Sequence, residues 1–435
     1  MLELNIDHSL VGDLSQKNIH AKLDCLRNER EPAFVGYKPN FAYLERIIAR
    51  FNQYKKMIVI GNGGSVNSFR AFYEALRDKT KKEVFILTTM EPDLLAQLKK
   101  RFKKSDTIIM MISKSGTNVG PLESLFAFMN SGYKTVFLTS LNSGALSYII
   151  NANNIKTKHK SVLVTQSFSS NSCYNNASYK ALPFEAECFI EHPPLGGRFA
   201  GRSAVGFAPA IFAGLDVRKI NKGALSIYKR CAKLDIDKNP ALKLALALYV
   251  LENEGYSEVF MPVYSYALSG FNQLVIQLMH ESVCKNQVGQ TFYAADAPES
   301  QHHTNQRFFG GKRNVIGLFV RALKQHNHKM CVKVPKEFRD IPLRGGKVSD
   351  LDRIPYWKSL EFEFMGTIHD AVNNLIPCIV ITVDIVDEYS VGEMLGFWQY
   401  VAYYSALLRD VNPYDQPQVE ASKEISFRLR KEYKR

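Results

Sequence analysis

The feature that most narrows the possible folds is a series of short apolar runs separated by helical stretches. Met57-Ile58-Val59-Ile60, Val84-Phe85-Ile86-Leu87, Ile108-Ile109-Met110-Met111-Ile112 and Thr135-Val136-Phe137-Leu138 are bounded by polar or glycine-containing turns. Between them lie stretches with helical spacing at 66–76, 92–103 and 121–131. Uninterrupted apolar strands are buried on both faces, and strands alternating with helices form parallel βαβ units. Residues 40–185 are therefore expected to form one doubly wound α/β domain, preceded by an N-terminal segment at 1–40.

The segment 192–205, HPPLGGRFAGRSAV, concentrates glycine and proline and reads as a loop. It belongs to a connection at 186–255 that becomes helical from about 203. The alternation resumes over 256–410, with strands expected at 257–261, 290–294, 314–321, 330–334 and 378–385. Helices are expected there at 267–284, 366–375 and 390–409, and a last one at 417–432 within the C-terminal segment 411–435. The expected class is α/β: two doubly wound parallel-sheet domains with a C-terminal helical tail.

A formal net charge of +14 would suit nucleic acid, an anionic membrane or a phosphorylated small molecule. The basic residues are dispersed, with the densest runs at 98–104 and 424–435, and no RNA-recognition signature, zinc finger or basic zipper accompanies them. No run reaches the ~18–20 apolar residues of a membrane span. Neither a nucleic-acid nor a membrane partner is expected. The cysteines at 25, 173, 188, 231, 284, 331 and 378 never form Cys-x-x-Cys, which argues against a disulfide framework or a structural zinc site. The N-terminus carries acidic residues where a secretory signal would be basic, so a cytoplasmic location is expected.

Two strand ends carry the first chemical signal. Gly61-Asn62-Gly63-Gly64-Ser65 opens one helical stretch, and Ser113-Lys114-Ser115-Gly116-Thr117-Asn118 opens another. Small residues and hydroxyls at a helix N-terminus, beyond the carboxyl end of a parallel strand, suit a bound phosphate. The dinucleotide fingerprint fails, because Val66 stands where the third glycine belongs, and no Gly-Lys-Ser/Thr ends either loop. Either turn alone is equally a tight βα connection; the pair favours a phosphomonoester that is held rather than cleaved.

Three further stretches bear reactive groups. Gln277 and Glu281 lie four apart on a largely apolar helix, so they share a face, and desolvation is the usual way a carboxylate becomes a base near neutrality. Gly197 and Arg198 in Gly-Gly-Arg-Phe allow close backbone approach and supply a fixed cation for a developing oxyanion. In QHHTNQRFFGG (301–311), adjacent histidines offer proton transfer. No metal-ligand spacing is present, since His302 and His303 are adjacent and His326 and His328 alternate.

In this order the motifs resemble the phosphoglucose isomerase family, built from two sugar isomerase (SIS) domains, over about 55–425. The resemblance is carried by Gly-Asn-Gly-Gly-Ser (61–65), Ser-Lys-Ser-Gly-Thr (113–117), Gly-Gly-Arg-Phe-Ala-Gly-Arg-Ser-Ala-Val-Gly (196–206) and Asn-Pro-Tyr-Asp-Gln-Pro-Gln-Val-Glu (412–420). It implies an aldose–ketose isomerase interconverting glucose 6-phosphate and fructose 6-phosphate without a cofactor or metal. It implies that Gly64 and Ser65 contact the sugar phosphate while Ser113, the Lys114 amide, Ser115 and Thr117 hold the phosphate, joined by Asn118. Arg198, beside Gly197, would stabilise the enediolate; Glu281, with Gln277 orienting the sugar, would move the proton between C1 and C2. His302, assisted by Lys423, would open the ring. Family members are usually dimers in which that histidine is donated across the interface.

The sequence departs from the family pattern at Asn62, where an apolar residue is usual, and at Asn118, where threonine is usual. Gly120 stands where the family commonly has a glutamate that positions the histidine, with Glu123 one turn away, and His303 replaces a small polar residue. The alternatives are a related SIS enzyme acting also or instead on mannose 6-phosphate, and a non-catalytic sugar-phosphate-binding SIS protein. Retention of Glu281, Arg198, His302 and Lys423 together favours the isomerase.

Overall fold

The computed structural model describes residues 2–6, 22–24, 26–27, 29–140, 144–154 and 186–433. Its principal strands in chain order are β1 (Leu2–Ile6), β2 (Lys56–Ile60), β3 (Glu83–Leu87), β4 (Thr107–Ile112), β5 (Thr135–Thr139), β6 (Ala186–Glu191), β7 (Glu258–Tyr264), β8 (Thr291–Asp296), β9 (Val315–Lys324) and β10 (Cys378–Ile385). The chain divides into two compact units. The first comprises Pro32–Tyr73, Arg77–Arg218 and Gln416–Arg435; the second comprises Met1–Glu31, Glu74–Leu76 and Lys219–Asp415.

The first unit is built on a fully parallel sheet in the order β3-β2-β4-β5-β6. Helices α1 (Asn67–Ala75), α2 (Pro92–Arg101) and α3 (Val119–Met129) follow β2, β3 and β4. Ile58, Ile60, Ile109 and Met111 pack with Leu98 of α2 and with Leu125, Phe128 and Met129 of α3. The alternate residues Met57, Val59, Ile108 and Met110 are equally buried, so both faces of these strands are covered. Strand order reverses between β2 and its neighbours β3 and β4. The loops after β2 and β4 therefore border the topological switch point, where open α/β sheets take their ligands. β6 was not anticipated; it extends this sheet to Glu191, beyond the expected limit of 185.

The second unit holds a sheet ordered β1-β10-β9-β7-β8. Its strands are parallel except β1, which runs antiparallel on β10 with Leu2 opposite Val383. Helix α4 (Asn272–Val283) follows β7, α5 (Tyr356–Asn373) precedes β10, and α6 (Glu388–Leu408) follows it. Asp387 and Ser390 cap α6 reciprocally, and nearly the whole of that helix is buried. The expected strand at 330–334 is not formed. Met330 is exposed, and the segment joins neither principal sheet: it meets 353–356 through the isolated bridge from Cys331 to Pro355 and the backbone bonds around it. No helix among the described residues is long and apolar enough to cross a membrane.

Candidate active site

In the first unit, backbone geometry accounts for the glycines of the β2 loop. Gly63 has φ +54°, and a Cβ on Gly64 would lie 2.3 Å from the Arg198 amide nitrogen and the Gly197 carbonyl carbon. The structure thus brings Gly64, Ser65, Gly197 and Arg198 together. Arg198 is 3% exposed; its Nη1 donates to Gln416 Oε1 at 2.7 Å, and its guanidinium lies 5.4 Å from the Phe199 ring centroid. The second arginine of the same motif has a different fate. Arg202 donates to the carbonyls of Phe34 and Val35 at 3.1 and 2.7 Å, and to that of Tyr37, so it fastens the chain entering the unit.

The β4 loop is shaped by its own hydroxyls. Ser113 Oγ accepts from the Gly116 amide at 3.2 Å, Ser115 and Thr117 share a hydroxyl bond of 2.8 Å, and the Lys114 carbonyl accepts from the Ser140 amide. Gly116 takes φ +63°, and Asn118 stands at the N-cap position of α3 without a side-chain cap bond. The first amides of α3 have no intrahelical acceptors and point past Asn118, where an anion is favoured. The lysine-rich run lies elsewhere. Lys103 and Lys104 precede β4 and Ser113 follows it, a separation of about 20 Å for six strand residues, well beyond the ~8 Å screening length at physiological salt. Thr117→Ala should therefore raise KM for a sugar phosphate about 10-fold or more, since hydrogen bonds to charged groups contribute roughly 1.5–3 kcal/mol. Charge reversal of Lys103 and Lys104 should leave KM within about twofold at physiological salt. Steady-state kinetics of both variants would reject this placement if the two effects were exchanged.

In the second unit, α4 carries Gln277 and Glu281, with Gln277 Nε2 donating to Glu281 Oε1 at 3.1 Å. Glu281 is half-buried rather than enclosed: Leu278 and Leu274 lie about one and two turns before it on its own side of the helix, while Val275 and Met279 point away from it. His280 is structural: its Nε2 accepts from the Phe292 amide at 2.9 Å, which joins α4 to β8. Beyond the end of α4, the buried Lys285 reaches Ser282 O and Asp415 Oδ1, each at 3.0 Å, and also the Asn412 carbonyl. The motif 301–303 splits in direction. Gln301 Nε2 donates inward to Thr367 Oγ1 at 3.0 Å and Glu363 O at 3.2 Å, whereas His302 is exposed, with no hydrogen-bond partner among the described residues. His303 is also exposed and lies 2.6 Å from Thr304 Oγ1 through Nδ1. Among the described residues no cluster of His, Cys, Asp and Glu has the form of a metal site.

Residues 47–435 match the sequence model of the phosphoglucose isomerase family. The chain belongs to that family. A glucose-6-phosphate isomerase of Acholeplasma laidlawii is 29% identical over 399 residues, covering 89% of this chain and 86% of its own. One from Methanocaldococcus jannaschii is 28% identical over 443 residues, 99% of this chain and all of its own. In fold, the chain is similar to a hypothetical protein of Thermus thermophilus (TM-score 0.79, 22% identity, 99% of each chain). It is also similar to the glucose-6-phosphate isomerase of Chlamydia trachomatis (TM-score 0.65, 18% identity, 94% of this chain and 78% of that one).

Against the phosphoglucose isomerase pattern, two positions gain a physical reading. A Cβ on Gly120 would meet Met90 Cε at 2.4 Å, and Glu123 is already bound by Arg430 of the C-terminal helix α7 (Glu420–Glu432). Glu123 is thus engaged within the first unit. Lys423, on α7, is exposed and paired with Glu420 at 2.7 Å. Gln416 was missed as an orienting group for Arg198, although it lies inside the 412–420 motif.

His192, after β6, was also missed. It is 3% exposed, and because the Pro193 carbonyl 2.8 Å from Nδ1 can only accept, Nδ1 carries the proton. Burial lowers its pKa from 6.5 to about 4, with the charge of nearby Lys114 adding to the effect. The unfolded chain then binds the proton more readily than the folded one between pH 6.5 and about 4, so stability falls as pH drops through that window. About 2 kcal/mol should be lost between pH 7 and pH 5 from this group, and His192→Gln should lack that component. Urea unfolding at both pH values checks it; an identical pH dependence in the variant would remove His192 as the cause.

Proposed function

We propose that the chain interconverts glucose 6-phosphate and fructose 6-phosphate by ring opening and proton transfer through an enediolate. It is an aldose–ketose isomerase of the phosphoglucose isomerase family. In this reading Ser113, the Lys114 amide, Ser115, Thr117 and Asn118 hold the phosphate, and Gly64, Ser65 and Gly197 bring backbone and hydroxyl close to the sugar. His302 and Lys423 move the proton that opens the ring. Glu281, steadied by Gln277, takes the C2 proton and returns it to C1. Arg198 opposes the charge that develops on the enediolate oxygen, with its guanidinium already aimed by Gln416.

The observation that carries the reading is the family match over 47–435, which spans every one of these residues. The test is a coupled assay that supplies fructose 6-phosphate and reads glucose 6-phosphate, with mannose 6-phosphate as the parallel substrate. Absence of turnover, or turnover of mannose 6-phosphate alone, would overturn it.

The working form is a homodimer in the cytoplasm, with His302 donated to the partner copy. What supports this is the exposure of His302 on a turn where no described neighbour in its own chain engages it. Glu281→Gln and His302→Ala subunits, each inactive alone, should regain about a quarter of wild-type activity when refolded together at equal amounts, because a mixed dimer then holds one intact site. No recovery, with mixed dimers verified by mass, would place His302 in its own subunit's site.

A further inference from the structure

Lys423 sits on a helix that leans on little else in its unit. No side chain of α7 is buried, and Ile425, Phe427 and Leu429 are 49%, 50% and 60% exposed. Among the described residues, one side-chain bond ties α7 to another element of the first unit. Arg430 meets Glu123 through both arms, Nε to Oε1 at 2.6 Å and Nη2 to Oε2 at 2.8 Å. Ser426, one turn earlier, receives Nη1 at 2.6 Å on its hydroxyl and 3.1 Å on its carbonyl, which holds the guanidinium in line.

The spacing of the groups gives this pair its interest. Lys423 and Arg430 are seven residues apart, close to two helical turns, so they project from the same face of α7. Glu123 lies in the second turn of α3, the helix opened by the Ser113–Asn118 loop. Gln416, seven residues before Lys423, is held by Arg198. The lysine is therefore midway along a span pinned at both ends, by Arg198–Gln416 and by Glu123–Arg430. Arg430 keeps the Glu123 carboxyl below its usual range, so the pair is ionised at neutral pH. An exposed ion pair adds little to stability, but two-armed arginine–carboxylate geometry fixes position well.

We propose that Glu123 and Arg430 are positioning residues for Lys423, setting where its ammonium stands relative to the phosphate loop. The proposal rests on the reading of Lys423 as the partner of His302 in ring opening.

The test compares wild type, Glu123→Gln, Arg430→Gln and the charge exchange Glu123→Arg with Arg430→Glu. Each is measured as kcat and KM for fructose 6-phosphate, in Lys423 and Lys423→Ala backgrounds. Either single change should lower kcat about 3- to 10-fold with KM within about twofold, because a misplaced catalytic group slows the reaction while the phosphate contacts stay intact. The charge exchange should restore at least about half of the lost rate, and none of the changes should cost more once Lys423 is alanine. Unfolding midpoints should stay within about 2 °C of wild type, which separates positioning from a loss of fold. Single variants at full rate, no recovery in the charge exchange, or an equal further loss in the Lys423→Ala background would each overturn the proposal. A fully active Lys423→Ala enzyme would overturn the ring-opening role of Lys423 and the proposal with it, while leaving the isomerase assay itself positive.

Discussion

Replacement of Glu281 by glutamine should abolish isomerisation while leaving ligand binding and fold intact. The carboxylate is the proposed base, and losing a positioned general base should lower kcat about 10²–10⁴-fold or more. The change is mild in every other respect. Glu281 is half-buried, and a carboxamide can still accept from Gln277 Nε2, now 3.1 Å from Glu281 Oε1. The groups proposed to hold the phosphate belong to the first unit and Glu281 to the second, so affinity should persist. Glucitol 6-phosphate, which lacks the carbonyl needed for reaction, reports that affinity by calorimetry. A variant with kcat near wild type would remove Glu281 as the base; one that neither turns over nor binds would mean that the residue holds the ligand instead.

The second large effect is expected at Arg198. Its guanidinium is almost fully enclosed, donates to Gln416 and flanks Phe199, so its charge is fixed before the reaction starts. Arg198→Ala should lower kcat about 10²–10³-fold, the range seen when one donor to a developing oxyanion is lost. Arg198→Lys should recover little, since an ammonium cannot serve Gln416 and a reacting oxygen with the same planar fork. Gln416→Ala keeps the charge and releases its aim, so its loss should be smaller, about 10-fold. Turnover of the three variants on fructose 6-phosphate tests the order. A lysine variant within twofold of wild type, or a Gln416→Ala loss exceeding that of Arg198→Ala, would sink the account.

What was legible in the sequence was what local chemistry writes locally. The runs 57–60 and 108–112, alternating with helical stretches, read as strands covered on both faces, and Gly-Asn-Gly-Gly-Ser with Ser-Lys-Ser-Gly-Thr stand where those strands end at the switch point. Gln277 and Glu281 were legible because four residues is one turn. Pairings over long separations were not. Arg198 meets Gln416 across 218 positions and Arg430 meets Glu123 across 307, and no periodicity records such a choice. The expected strand at 330–334 failed for the complementary reason: a short apolar run marks a potential to lie on a sheet, and whether a sheet is there to receive it is decided by the rest of the chain. Enclosure of Glu281 was overestimated for a related reason: Leu278 and Leu274, about one and two turns away on its own helix, cover only part of the side chain, and the rest depends on packing that spacing does not record.

The position of β1 fixes an order of events. Residues 2–6 leave the ribosome before every other described strand, yet their only sheet partner among those strands is β10, spanning Ile379 to Val383 in the ladder. That strand must therefore wait, unpaired, while more than 370 further residues are made. The first unit waits longer still, since Gln416 and Arg430, which hold Arg198 and Glu123, are synthesised after β10. A nascent polypeptide cannot close both the Arg198–Gln416 and the Glu123–Arg430 bonds until Arg430 has emerged, so a chain broken off before Gln416 would leave Arg198 and Glu123 without these partners.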